Sequence, residues 1–546
     1  MIPQGSIMDV ILRNGLLYDG SGKPPVRGDL AIQGDTIAGI GDLGDATAPL
    51  ELDVDGLAVA PGFINMLSWA VESLIEDGRS LSDIRQGVTL EVMGEGFSYG
   101  PLSEAMKANW RRGALGAGEI EYELAWTTLG EYLTYLEKRG VSCNVASFVG
   151  LGTLRIHAMG YDDRPPTSDE LENMLDLLRL SMEEGAVGLA AALIYPPQSF
   201  AQTDELIALA KMTAAYDGLY ISHLRSEGAA FLEALDELIT IAREANIRAE
   251  VYHLKAAGYR HWPKMDEAIQ RIEAARASGL DITADMYTYP FSGTGLESCI
   301  PPWVHEGDKL VERLKDPALR ERIKQDMNTP STEWENMWLE TGSPERMLLA
   351  GFPNPEHKQA YAGKRLSEVA AMRGQTPEDA LLDLVVENDG HIFTMYFTML
   401  EDNLRKQVTL PWLSFCSDAE SLAPEGIFLQ THPHPRAYGS FARVIGHYCR
   451  DEGLMPLEDA VRRLSALPAA TLRLDRRGAL LPGYFADVVV FDPAEVRDHA
   501  TYDQPHQLAT GMVHVFVNGQ QVLKDGEHTG ATPGRFVRGP GARIRG

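Results

Sequence analysis

The chain has 546 residues, 44% of them hydrophobic and 23% charged, so it is too apolar to stay disordered and too long for one compact core. Its net charge of −29 repels nucleic acid and anionic membrane, which argues against both as partners and leaves acidity as a means of staying soluble. The four cysteines (Cys143, Cys299, Cys416, Cys449) form no C-x-x-C pair, the leading residues MIPQGSIMDVILRNG lack a signal-peptide pattern, and no stretch is apolar for long enough to span a bilayer. Together these features predict a cytoplasmic protein.

In chain order, residues 9–12, 16–18, 29–32 and 36–40 read as short strands. Asn14-Gly15, Asp19-Gly20 and Gly34-Asp35 punctuate them as hairpin signals. Near the other end, GYFADVVVFD (483–492) reads as a buried strand, and VHVFVN (513–518), Gly519 and residues 521–523 as a hairpin. Two strand-rich ends around a long middle predict one small β-domain assembled from residues 1–62 and 479–546.

The middle, 63–478, alternates short apolar runs with amphipathic helices. Run 145–149 precedes helix 168–184, 188–192 precedes 203–216, 220–223 precedes 228–245, 249–253 precedes 263–278, and 282–286 is a further strand. Repeated β–α units imply an α/β fold with a parallel sheet, and their number favours a TIM-like (β/α)8 barrel over an open sheet. From 290 to about 348 the rhythm breaks into Pro-, Gly-, Trp- and charge-rich sequence, read as an insertion on the barrel's C-terminal face. Trp303, Trp334 and Trp338 in it are expected in core packing rather than in a lid.

In such a barrel, chemistry gathers at the C-terminal ends of strands. His223 ends LYISH, His253 ends AEVYH, Asp418 ends WLSFCSD and Glu95 follows TLEVMG. Each is a polar residue closing an apolar run. Two imidazoles and two carboxylates suit zinc, with three protein ligands and one position open to water. Each also has a plainer reading, as a hydrogen-bonded strand end, a helix cap or a solvated loop residue. His432 and His434, flanked by prolines in HPHPR, are expected to shape a loop, and the absence of G-x-x-x-x-G-K-[ST] argues against nucleotide binding.

The ordered pieces VILRNGLLYDGSG, VAPGFIN, GLAAALIYPP, ISHLRSEG, VYHLKAAG, DITADMYTYPFSGTGL, SFCSDAES, HPHPRAYGSFARV and RRGALLPGYFADVVVFDP resemble the D-aminoacylase (N-acyl-D-amino-acid deacylase) family of the amidohydrolase superfamily. The resemblance covers nearly the whole chain. It implies a distorted barrel beside a β-sandwich made from both termini, and hydrolysis of the amide of an N-acylated D-amino acid. His223 and His253 match the family's zinc-binding histidines, and Asp418 its general base and acid. Arg436 matches the arginine that pairs with the substrate carboxylate, a task suited to its fork of donors. Lys255, Tyr195 and Tyr287 match positions lining the substrate pocket.

Two departures stand out. Where the family carries His-x-His after the PGFID-like strand, this chain has Leu67 and Trp69, neither able to bind zinc. Where the family has a cysteine ligand, it has Glu95, whose harder oxygen can replace a thiolate and admit other divalent metals. The expectation is one zinc per chain on Glu95, His223 and His253, with Trp69 filling the vacated space and narrowing the pocket. The alternative is a catalytically altered barrel that binds a small carboxylate ligand without hydrolysis; retention of His223, His253, Asp418 and Arg436 favours catalysis. The partner is then a small-molecule amide, and a homo-oligomer is compatible with the sequence.

Overall fold

The computed structural model describes residues 6–110 and 120–543, so the extreme ends of the expected terminal domain, 1–5 and 544–546, lie outside it. The fold is mixed α/β. The two chain ends meet in one nine-stranded sheet, in which Val488–Phe491 pairs antiparallel with Ala58–Pro61. Alternate residues of these strands (Leu12, Leu30, Ile32, Val59, Val488, Val490, Phe516) share one apolar cluster. The sheet curls around that cluster, because Ile37 N donates to Tyr484 O and Gly483 N to Ile37 O, both at 2.8 Å.

Gly34-Asp35 does turn Val26–Gln33 into Thr36–Gly41, with Gln33 facing Thr36. Asn14-Gly15 does not turn the chain: Val10–Leu17 is one strand that runs straight through it. Asn14 takes φ 65° and the register against Val26–Gln33 shifts between Leu12 and Gly15, so the dipeptide makes a bulge. The left-handed conformation that favours a hairpin turn serves a bulge equally well when both halves keep the same partner strand.

The middle of the chain forms two arcs of parallel strands. The first holds Phe63–Asn65, Val88–Met93 and Asn144–Ser147. The second runs from Val149–Gly150 through Gly188–Ala192, Leu219–His223, Ala249–Val251 and Ile282–Met286 to Leu413–Phe415. Backbone bonds join the arcs at both seams: Met66 N to Phe415 O at 3.4 Å and Val187 N to Ser147 O at 3.0 Å. Ile64, Leu90, Val92, Ala146, Phe148, Ala190, Ile221, Tyr252 and Tyr287 fill a common interior. The strands are buried throughout, which is why they read as continuous apolar runs. Helices return the chain between them; Thr167 and Glu170, for example, form a reciprocal capping box that starts Ser168–Glu184. The C-terminal segment leaves the terminal sheet and pairs with this region, Val145 bonding to Arg535 O and from Val537 N, both at 2.9 Å.

The insertion runs further than its composition indicates. Ser292–Gly295, Phe393–Tyr396, Met347–Gly351 and Lys364–Arg365 form a separate antiparallel sheet. A separate core, including Leu296, Cys299, Ile323, Met347, Leu381 and Tyr396, extends well past residue 348. The later part has ordinary globular composition, so the break at about 348 marks a change of texture within the insertion. Trp303 and Trp338 pack against this core, whereas Trp334 lines the central cavity. Among the described residues no helix is long and apolar enough to cross a membrane.

Candidate active site

Backbone geometry delivers the polar residues at the strand ends. Gly94 has φ 106°, and a Cβ there would lie 2.4 Å from Phe148 O, so only glycine lets the chain turn between Met93 and Glu95. His253 takes φ 33°, an unusual conformation for a side-chain-bearing residue, and its N–H donates to the buried Asp285 Oδ1 at 2.7 Å. Asp418 takes φ 49° with its N–H on Leu67 O at 2.9 Å.

These turns bring Glu95, His223 and His253 together, all buried, with one ligand atom from each within 4.8 Å of the others. Glu95 Oε1 lies 3.1 Å from His223 Nδ1 and 2.8 Å from His253 Nε2. Burial alone would raise the Glu95 carboxyl, but the imidazoles of His253 and His223 hold it well below the usual carboxylate range. Burial lowers His223. Burial and Lys255 oppose charge on His253, yet Glu95 and Glu227 outweigh them and raise it to about 10. A buried, ionised carboxylate between two imidazoles is a donor set that fits a divalent cation.

Glu227 was not anticipated. Its Oε1 lies 3.2 Å from His253 Nδ1, 3.6 Å from His223 Nε2 and 2.7 Å from Lys255 Nζ. His253 thus turns Nε2 to Glu95 and Nδ1 to Glu227, an outer carboxylate of the kind that orients a metal-binding histidine, whereas among the described residues His223 Nε2 has no hydrogen-bond partner. The available signal was its place four residues after His223 in HLRSEG, where a glutamate ordinarily reads as solvated.

Asp418 sits nearby in a different setting. Arg436 Nη1 is 2.6 Å from its Oδ2, and Trp69 Nε1 donates to its Oδ1 at 3.2 Å. Burial raises the Asp418 carboxyl, and Arg436 opposes that rise. Arg436 is buried with its guanidinium carbon 4.5 Å from the centre of the Tyr287 ring, and among the described residues its Nε has no hydrogen-bond partner. His434 holds the turn before it, Nε2 on Phe291 O at 3.0 Å and Nδ1 accepting from Arg436 N at 3.1 Å. The Tyr195 hydroxyl lies 2.7 Å from Thr294 Oγ1, and burial raises both Tyr195 and Tyr287 well above the usual phenol range. All nine residues singled out in the sequence, with Glu227, line one cavity of about 820 Å³.

A family model described as the amidohydrolase family matches residues 429–523. D-aminoacylase from Alcaligenes xylosoxydans xylosoxydans is 35% identical over 537 residues, 97% of each chain. The crystal structure of N-acyl-D-glutamate deacylase from Bordetella bronchiseptica, complexed with zinc and a phosphonate mimic of the reaction's tetrahedral intermediate, is 30% identical. It superposes with TM-score 0.80 over 98% of this chain and 100% of that one. A D-aminoacylase structure described by a binuclear metal centre with one-metal activation and second-metal attenuation is 32% identical, with TM-score 0.80 over 97% of this chain and 100% of that one. The fold and cavity are those of a metal-dependent amidohydrolase, an enzyme that hydrolyses a carbon–nitrogen amide bond. Within that class the chain belongs to the D-aminoacylase (N-acyl-D-amino-acid deacylase) family.

Proposed function

We propose that this chain hydrolyses the amide of an N-acylated D-amino acid in the cavity between the parallel strands and the insertion, using one zinc per chain. The observation that carries this reading is Glu95 set between the imidazoles of His223 and His253, with the Asp418–Arg436 pair in the same cavity. Glu95, His223 and His253 would hold the metal, and Glu227 would orient the His253 ring. A zinc ion held there would supply the Lewis acidity that lowers the pKa of water and polarises the scissile carbonyl.

Asp418 takes the proton of the attacking water and passes it to the leaving nitrogen; burial, which raises its pKa, suits a carboxylate that must hold and release a proton. Arg436, through its free Nε, binds the substrate carboxylate, with Lys255 adding positive charge and Tyr287 a flat wall between the two. The Tyr195 hydroxyl, kept protonated by burial, donates toward the oxygen that gains charge at the tetrahedral stage. The two arcs are read as a distorted (β/α)8 barrel (63–478), joined at both seams. The curled terminal sheet is read as the β-sandwich of 1–62 and 479–546.

The test is Asp418→Asn, assayed on a panel of N-acetyl-D-amino acids alongside elemental analysis. Turnover should fall by about 10²–10⁴-fold while zinc stays near the wild-type content. An active Asp418→Asn enzyme removes Asp418 from this role, and a wild-type enzyme without metal removes the mechanism.

A further inference from the structure

We propose that Trp69 is a positioning residue for Asp418: its indole N–H takes the place, on that carboxylate, that a second metal ion would fill, so the site works with one metal and is closed to a second. This rests on the reading of Glu95, His223, His253 and Asp418 given above.

The backbone holds the two side chains in register although they lie 349 residues apart. Asp418 N donates to Leu67 O and Trp69 N to Ala419 O, both at 2.9 Å, so Ser68 and Ala419 form a parallel bridge just beyond the strands Phe63–Asn65 and Leu413–Phe415. Asn65 adds a side-chain tie, its Oδ1 accepting from Ser417 N at 2.9 Å and its Nδ2 donating to Ser417 Oγ at 2.8 Å. From this frame the Trp69 indole reaches Asp418 Oδ1 at 3.2 Å while Arg436 sits 2.6 Å from Oδ2. Each carboxylate oxygen therefore has its own N–H neighbour.

The side chains beside Asp418 do not suit a second cation. An indole nitrogen donates and has no lone pair in the ring plane to give a metal, and Leu67 is a buried alkyl group. Among the described residues the only metal-competent cluster is Glu95, His223 and His253. A buried carboxylate still needs compensation. Arg436 provides the charge and Trp69 the hydrogen bond. A neutral N–H fixes the direction of the carboxylate without competing for its lone pairs as a dication would, which leaves Asp418 able to accept a proton. The solved D-aminoacylase is described as attenuated by its second metal; here a half-buried indole lies on the cavity wall beside Asp418.

The experiment compares the zinc-loaded wild type with Trp69→Phe, Trp69→Gln and the double variant Leu67→His/Trp69→His. Zinc per chain after dialysis against excess zinc is measured by elemental analysis, and kcat and KM are measured separately on the N-acetyl-D-amino acid turned over fastest. The wild type should keep one zinc and lose no activity in excess zinc. Trp69→Phe should also keep one, with kcat lower by about tenfold and KM within about twofold, the pattern of a lost hydrogen bond to a charged group acting after binding. Trp69→Gln, which restores an N–H donor with less bulk, should exceed the Phe variant in kcat. The double variant should take up a second zinc. A Phe variant with wild-type kcat, a Gln variant no better than Phe, or a double variant still at one zinc overturns the inference while leaving an active one-zinc enzyme intact. A wild type without zinc overturns the underlying metal reading and the inference with it.

Discussion

In one part of the cavity Glu95 and Glu227 face the four ring nitrogens of His223 and His253, whereas in another Trp69 and Arg436 turn N–H groups on the single carboxylate of Asp418. The first region sets two carboxylates among two imidazoles and Lys255, and the second has a spare donor at Arg436 Nε. The contrast teaches how one cavity can call for two opposite charges. On the proposed function, the acceptor-rich part would be completed by a cation and the donor-rich part by an anion, an N-acylated amino acid bringing its amide to the first and its carboxylate to the second.

The largest expected break of that contrast, after loss of Asp418, comes at the donor-rich end. Arg436→Lys keeps the charge and removes the planar fork; KM should rise by tens-fold, about 2 kcal/mol, with zinc content unchanged. An unaltered KM would place the substrate carboxylate elsewhere. At the acceptor-rich end Glu227→Gln keeps the shape and removes the outer negative charge. Zinc affinity measured by competition with a chelator should fall by roughly 10–100-fold, and unchanged affinity would reduce Glu227 to a partner of Lys255.

The smallest effect lies where the insertion meets this region. Glu335 Oε2 is 2.6 Å from Ser226 Oγ, and its Oε1 accepts from Glu227 N at 3.3 Å. Burial pushes Glu335 up to about 8 from 4.5, so the fold favours its neutral form. Its contribution to stability is fully present below about pH 4.5 and is lost as pH rises through about 8. Glu335→Gln, neutral at every pH, should flatten the fall in Tm between pH 6 and 9 by a few degrees. A variant with the wild-type slope would show that the carboxyl is not the group responsible.

Much of this site was legible because of where its residues stand in the chain. His223 and His253 close apolar runs, where a polar side chain at a strand end faces a common mouth, and Arg436 and Asp418 sit inside long stretches of family resemblance. Glu227 was hidden because its neighbours Arg225, Ser226 and Gly228 give it the texture of a surface loop; only the return of Lys255 and His253 from the next strand surrounds it. The reach of the insertion to Tyr396 was hidden for the complementary reason, since its later half has the composition of any globular helix and strand. Asn14-Gly15 carried a true signal for a left-handed backbone, but a bulge and a turn share that signal.

By itself, then, the sequence determined the alternation of buried strands and amphipathic helices, the strand-rich texture of both ends, and the residue types available at the strand ends. These follow from periodicity and local chemistry, which neighbouring residues settle among themselves. The tertiary structure alone decided that Trp69 meets Asp418, that Glu227 joins His253 and Lys255, and that Arg436 keeps a free donor. Those contacts join segments that only the parallel strands bring side by side, and whether a buried charge is paired or left open depends on all the groups that close around it.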